Sequence, residues 1–376
     1  MRAIALLLAL CVASACQRSP APSPPPDAGE PPLPPVAIAP SSVASAPPSA
    51  APPPAPLPPD EARRRAKRAT DCLQDPRCRL EEAVRLHTEA VDAGAIHAGC
   101  FDFYYGIVVP ADAARARACF ERKVAAEKPC NGASPSIERT FLGLMLLDAQ
   151  GGPRERERGK ALFADCLTEG ALVIAAAAQR EQSGQAKPID FCADVSGTTL
   201  EQNDCAMIAD DRADFEAQKA AKEVFATLGV DDAGYKLWSQ AQRAWERFTA
   251  SDAAYARDQW RGGTGAPVVY NLTLVAHTRE RPEALRALLT PSPDPDAPRE
   301  VEKALRSAEA SAGKRGDAAN RKLLAEAQGD WLAYRTAEVA FVSRAFAARY
   351  GGADAAANAA LVALTRRRAD ALGKAD

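Results

Sequence analysis

The side chains that most often carry catalysis are few and scattered in this sequence. The three histidines are His87, His97 and His277, and even the first two are ten residues apart, so they lack the i,i+4 spacing of a metalloprotease helix. Residues Ser311–Lys314 match Ser-x-x-Lys, but the companion motifs of penicillin-binding enzymes are absent from the sequence. The glycine-rich stretch Gly262–Gly265 lacks the Gly-Lys-Ser/Thr ending of a phosphate loop. We therefore expect a protein that is not an enzyme and has no metal site and no cofactor.

The cysteines indicate disulfide chemistry instead. Eight of them follow residue 60: Cys72, Cys78, Cys100, Cys119, Cys130, Cys166, Cys192 and Cys205. An even number in an exported chain predicts up to four disulfides, but eight cysteines allow on the order of 100 pairings. The 171 residues after Cys205 contain none. This asymmetry predicts a boundary between a disulfide-stapled first half of the body and a second half without disulfides.

The N-terminus has the pattern of an export signal. The apolar run Ala3–Val12 follows a basic residue and is too short to span a membrane. It leads to Ala13-Ser14-Ala15-Cys16, which resembles the bacterial lipobox. The resemblance implies a signal peptide of residues 1–15 and a lipid-modified Cys16. Because Gln17 follows in place of Asp, it also implies an outer-membrane lipoprotein that faces the periplasm or the cell surface. An ordinary cleaved signal, with Cys16 incidental, is the alternative.

Residues 16–59 form a predicted disordered linker. Eighteen of the 43 residues from 17 to 59 are Pro, a composition that favours extended polyproline II and reaches on the order of 100 Å. No later stretch approaches the apolar length needed to cross a bilayer. The 47 Lys and Arg residues nearly cancel the 49 Asp and Glu residues, which argues against nucleic-acid binding. We expect a body that reaches the membrane through its lipid anchor only.

The body is predicted to be all-α, and its first part, residues 60–190, to be a disulfide-stapled array of helical hairpins. Ala118–Glu121 and Ala161–Ala164 align at an offset of 43 residues, and recurrence near 40 is typical of helical repeats. The stretch resembles SEL-type tetratricopeptide-like repeats, best over residues Leu142–Phe163, and the resemblance implies a binding scaffold. An irregular helical domain is the alternative.

The second part, residues 191–376, contains a duplication at an offset of 86–87 residues. Each copy has a Trp, an acid seven residues later, and aromatics ten and fifteen residues later. A Gly-Gly pair follows, and then a Leu, a Thr, an Arg and a Leu spaced along one face of the returning helix. The first copy has Trp245, Asp252, Tyr255, Trp260, Leu274, Thr278, Arg281 and Leu285. The second copy has Trp331, Glu338, Phe341, Phe346, Leu361, Thr365, Arg368 and Leu372. We predict two modules of antiparallel helices, residues 191–290 and 291–376.

Spacing assigns these positions mainly to the core. The Trp, the acid and the next aromatic of each copy share one helical stripe, and the Thr and Arg share a face of the returning helix. A buried acid needs a partner. We therefore expect the returning Arg to meet Asp252 or Glu338, and we interpret the set as bracing residues.

The duplicated pattern resembles the LprI-type lysozyme-inhibitor family of small exported helical proteins. The motif that carries the resemblance comprises Gln328, Trp331, Tyr334, Arg335, Thr365 and Arg368, with Gln242 opening the first copy. The first copy departs from it at Phe248–Thr249. A cysteine that the family usually has about seven residues after the Trp is replaced in both copies by an acid. The family often opens with two cysteines around a Thr-rich segment, which implies a Cys192–Cys205 disulfide.

The resemblance implies a protein partner, most specifically a lysozyme-like muramidase that the chain inhibits. For partner contact we favour the turn Trp260, Arg261, Gly262 and Gly263, because Trp and Arg are common interface anchors and loops are exposed. A non-catalytic envelope scaffold that uses the helical repeats is the main alternative, and a wall hydrolase is a third.

Overall fold

The computed structural model describes residues 57–130, 136–164, 166, 169–184, 188–195, 198–290 and 298–373. Within these ranges the regular structure is helical and no strand occurs, so the all-α prediction is confirmed. None of the helices there is long and apolar enough to cross a membrane. The signal peptide, Cys16 and nearly all of the Pro-rich linker lie outside the described residues, and their assignments stay predictions.

The described residues of the first part contain seven helices and three disulfides. The helices are α1 Pro59–Gln74, α2 Leu80–Asp92, α3 Cys100–Tyr105, α4 Ala113–Ala125, α5 Ile137–Leu147, α6 Arg156–Ala161 and α7 Glu169–Gln182. The disulfides are Cys72–Cys78, Cys100–Cys119 and Cys130–Cys166. With Cys192–Cys205, all four disulfides that the cysteine count allows are formed.

The two segments aligned at an offset of 43 differ in structure. Ala118–Glu121 lies inside α4, whereas α6 ends at Ala161 and the next three residues form a turn. That turn brings Phe163 onto Gly143 of α5, where a Cβ would stand 2.4 Å from the ring. The close approach of ring and backbone therefore requires glycine at residue 143. The repeat assignment stays a prediction.

A π-helical turn, Phe191–Val195, leads into the second part. The first copy contains α8 Thr199–Leu228, α9 Asp232–Asp258 and α10 Ala266–Ala287. The second contains α11 Pro298–Arg315, α12 Ala318–Ala345, the short α13 Ala347–Tyr350 and α14 Ala353–Gly373. Thr198 and Glu201 form a capping box at the start of α8, which satisfies backbone N–H groups that the helix leaves open.

The two copies pack through α9 and α12, which run antiparallel. Asp258 accepts a hydrogen bond from Asn320 at one end of the pair, and Asp231 pairs with Arg344 at the other. Within the first copy, α8 and α10 run parallel, since Asn203 contacts Asn271 and Asp210 contacts Thr278 at the same spacing.

Two apolar clusters in the second part each draw side chains from both copies. One contains Trp245 of the first copy with Trp331 and Tyr334 of the second. The other packs Trp238 against Phe341, with ring centroids 5.3 Å apart. Burial of this apolar surface therefore depends on the two copies being together.

Candidate functional site

The duplicated arginines form salt bridges that cross between the copies. Arg281 on α10 donates from Nη1 and Nη2 to the two carboxylate oxygens of Glu338 on α12, at 2.9 and 3.0 Å. The same Nη1 donates to the Tyr334 hydroxyl at 2.8 Å. Arg281 and Glu338 are 3% and 4% exposed. The arginine of the first copy thus neutralises the acid of the second.

The reciprocal pair has a different set of neighbours. Arg368 on α14 donates from Nη1 to Asp252 Oδ1 at 2.7 Å and from Nε to Gln328 Oε1 at 2.6 Å. His277 Nε2 lies 2.9 Å from the other oxygen of Asp252. Burial opposes ionisation of Asp252, but Arg368 and His277 more than offset it and lower the pKa of this carboxyl from 3.8 to about 2. Asp252 is therefore held as a carboxylate.

The remaining motif residues brace neighbouring helices. Arg335 donates to Thr365 at 3.2 Å, pairs with Glu302 and lies over the Trp331 ring, 4.7 Å from its centroid. Thr278 donates to Asp210, whose pKa is raised by burial and partly lowered again by that bond. These contacts hold α11 and α14 to α12, and α10 to α8.

Gln242 differs from its counterpart Gln328. Its side chain reaches only Glu246 on its own helix, 3.4 Å away, whereas Gln328 accepts a hydrogen bond from Arg368. Sequence reasoning also missed that His277 contacts Asp252. The sequence does contain a signal for this contact, because His277 occupies the position that the apolar Leu364 has in the second copy.

A cleft of about 70 Å³ lies where the two copies meet, between α10 and α14. The twelve residues that line it are six equivalent pairs from the two copies. These pairs are Trp245 and Trp331, Phe248 and Tyr334, His277 and Leu364, Glu280 and Arg367, Arg281 and Arg368, and Ala284 and Ala371. The cleft therefore lies on the pseudo-twofold axis that relates the copies.

The glycine turn of the first copy presents an aromatic side chain to solvent. Trp260 is 43% exposed, whereas its counterpart Phe346 is completely buried. Arg261 bonds Asp258 at 2.6 and 2.8 Å and Asp317, the N-cap of α12, at 3.1 Å. Gly262 has φ +82°, a conformation that favours glycine, and a Cβ there would meet open space. Arg261 is thus oriented by two carboxylates beside an exposed Trp.

Residues 192–285 and 297–372 match the profile of the family described as Lysozyme inhibitor LprI. The two matched segments confirm both the family resemblance and its duplication. Neither curated proteins nor solved structures give a significant match to the chain. Within the described residues, no group of three or more His, Cys, Asp or Glu side chains is placed to hold a metal ion.

Proposed function

We propose that this chain binds a lysozyme-like muramidase and inhibits it, because residues 192–285 and 297–372 match the LprI lysozyme-inhibitor family. The proposal includes lipid anchoring at Cys16, which would keep the inhibitor beside the cell wall. It also includes the Trp260 turn, residues Trp260–Gly263, as the contact with the enzyme. Only the family match names the enzyme class, and the exposure of Trp260 favours the turn as the contact.

The difference between Trp260 and Phe346 is the observation that supports this choice of surface. Both follow the motif Trp by fifteen residues, yet only Phe346 fills the core. An exposed Trp leaves apolar surface in water, and such residues are enriched where a partner covers them. Trp260 is therefore the aromatic residue of this motif position that does not pack in the core, and it remains available to a partner.

The chemistry of the turn suits a muramidase cleft. Glycosidases cleave between paired carboxylates in a groove shaped for sugar rings. The Trp260 ring offers apolar surface to such a groove, while Asp258 and Asp317 hold Arg261 beside it and balance its charge. The chain has a net charge of −2, so long-range attraction to a basic enzyme is weak and affinity depends on local contacts.

The test is a cell-wall clearing assay with lysozyme and the oxidised mature protein. We expect slower clearing at stoichiometric protein, and an inhibition constant raised by about thirtyfold in Trp260→Ala, the cost of losing a central interface anchor. Leu332→Ala is the matched control, since Leu332 is 46% exposed on α12 and lies outside the turn.

Equal loss of inhibition in both variants would refute the turn as the contact. Unchanged clearing across several classes of lysozyme would refute inhibition itself and favour the scaffold alternative. Clearing by the protein alone would identify a hydrolase.

A further inference from the structure

The cleft between the copies contains hydrogen-bond donors that the protein does not satisfy. Arg281 Nε and Arg368 Nη2 are buried and have no acceptor among the described residues. Both side chains line the cleft, and both are 3% exposed. Buried N–H groups nearly always have a partner, which is protein, ordered water or a ligand. An occupant of the cleft, which both side chains line, can supply the missing acceptors.

The cleft surface is more basic than the residues around it. The carboxylates that neutralise the two arginines, Glu338 and Asp252, are absent from its lining. Arg367 adds a third guanidinium at an exposed position, and Glu280 is the only acid among the lining residues. An anion in this cleft would therefore contact guanidinium groups, while the carboxylates that neutralise them lie outside the lining.

The walls between these charges are aromatic. Trp245, Trp331, Phe248 and Tyr334 all line the cleft, and the Phe248 and Tyr334 rings are stacked with centroids 5.9 Å apart. Aromatic walls suit the aliphatic part of a ligand, its stem. Guanidinium groups suit a planar head group with two atoms that accept hydrogen bonds. With about 70 Å³ the cleft has room for a small charged group that carries only a short aliphatic chain.

We propose that this cleft is a binding site for a short aliphatic carboxylate. The carboxylate accepts hydrogen bonds from the arginines, and its stem lies against the aromatic rings. The two-fold relation between the copies is broken at the rim, where Glu280 stands in place of Arg367. The ligand therefore binds in one orientation, with its charge toward Arg367 and away from Glu280. The site is distinct from the Trp260 turn, which contributes nothing to the lining.

Sodium propanoate is the probe, followed through the ¹H–¹⁵N signals of the indole groups at constant ionic strength. Two of the four tryptophans, Trp245 and Trp331, line the cleft. We expect saturable shifts of these two signals with propanoate. Propanamide, which has the same shape without the charge, should leave them unchanged, as should sodium chloride. A response to propanamide equal to that of propanoate would overturn the anion assignment.

Two variants locate the site without disturbing the buried salt bridges. Arg367→Gln removes a rim charge and should weaken propanoate binding about fivefold, roughly the value of one exposed charged contact. Ala371→Leu fills the cleft from the rim and should abolish binding. Arg306→Gln is the control, since Arg306 is an exposed arginine outside the lining. Undiminished binding in Ala371→Leu, or the absence of saturable shifts in the unmodified protein, would overturn the proposal.

Discussion

Glu338 shows how much one buried side chain matters in this protein. It accepts both hydrogen bonds that Arg281 makes to a carboxylate, in a region closed to solvent. Removing one partner of a buried ion pair leaves the other charge desolvated. We expect Glu338→Gln to lower the free energy of unfolding by about 3 kcal/mol, measured by urea denaturation at pH 7.

The control for this variant is Glu223→Gln. Glu223 pairs with Arg286 at 2.7 Å, but both side chains are exposed, at 48% and 43%. Exposed pairs contribute about 1 kcal/mol or less. Similar losses in the two variants would show that burial of the Arg281–Glu338 pair has no special energetic role.

Asp252 makes stability depend on acid pH. Its pKa in the folded protein, about 2, is below the ordinary 3.8, so the folded state favours the carboxylate. The resulting stabilisation is complete above about pH 4 and is lost as the pH falls toward 2. It amounts to on the order of 2 kcal/mol. Urea denaturation from pH 6 to pH 2 should show this loss.

Asp252→Asn removes the titrating group, so its stability should fall less steeply over the same interval. Asp354→Asn changes an exposed carboxylate on α14 and should follow the unmodified protein. If the free energy of unfolding falls between pH 4 and pH 2 as steeply in Asp252→Asn as in the unmodified protein, the acid sensitivity belongs to other carboxylates.

Spacing in the sequence identified these residues but could not pair them. Asp252 and Glu338 occupy the same position in their copies, as do Arg281 and Arg368. Either acid is therefore a suitable partner for either arginine. The choice depends on how α9 packs against α12, which brings together residues as far apart in sequence as 62 and 113 positions.

At the scale of elements, α8 is joined to the first part by Lys222. Its ammonium donates to the carbonyl oxygens of Cys72, Asp75 and Cys78 at 2.8, 2.7 and 3.1 Å, at the end of α1. Lys222→Met removes all three bonds and leaves three part-buried carbonyl oxygens without this donor. We expect faster amide hydrogen exchange in residues 72–80 and a loss on the order of 2 kcal/mol.

Lys219→Met is the matched control, because Lys219 lies one turn earlier on α8 and contacts Glu216 and the Phe215 ring, both on the same helix. Its exchange rates in residues 72–80 should equal those of the unmodified protein. Faster exchange in both variants would indicate a general effect on α8.

Helical periodicity predicted the helices better than it predicted their ends. The offset between the copies changes from 86 to 87 residues across the glycine turns. The second copy has one more residue there and forms the short α13, with Phe346 buried, whereas the first copy leaves Trp260 exposed. A one-residue difference is visible in the sequence, but its effect on side-chain burial depends on tertiary packing.

At the scale of the whole molecule, the copies should stay together when the chain between them is cut. Both apolar clusters of the second part and both buried salt bridges join one copy to the other. Cleavage at a protease site introduced within residues 291–297 should leave a single species in size-exclusion chromatography. Separation into two folded species would show that each copy has a sufficient core of its own.

The crossed pairing of Arg281 with Glu338 and of Arg368 with Asp252 also bears on how this gene can change. Duplicated segments are usually free to diverge, because one copy can vary while the other keeps the original role. Here the arginine of each copy neutralises the acid of the other copy. Loss of either member of a pair would therefore leave its partner as an unpaired buried ion. We expect substitutions in the two copies to be correlated. Loss of the acid in one copy should be tolerated only together with loss of the arginine in the other.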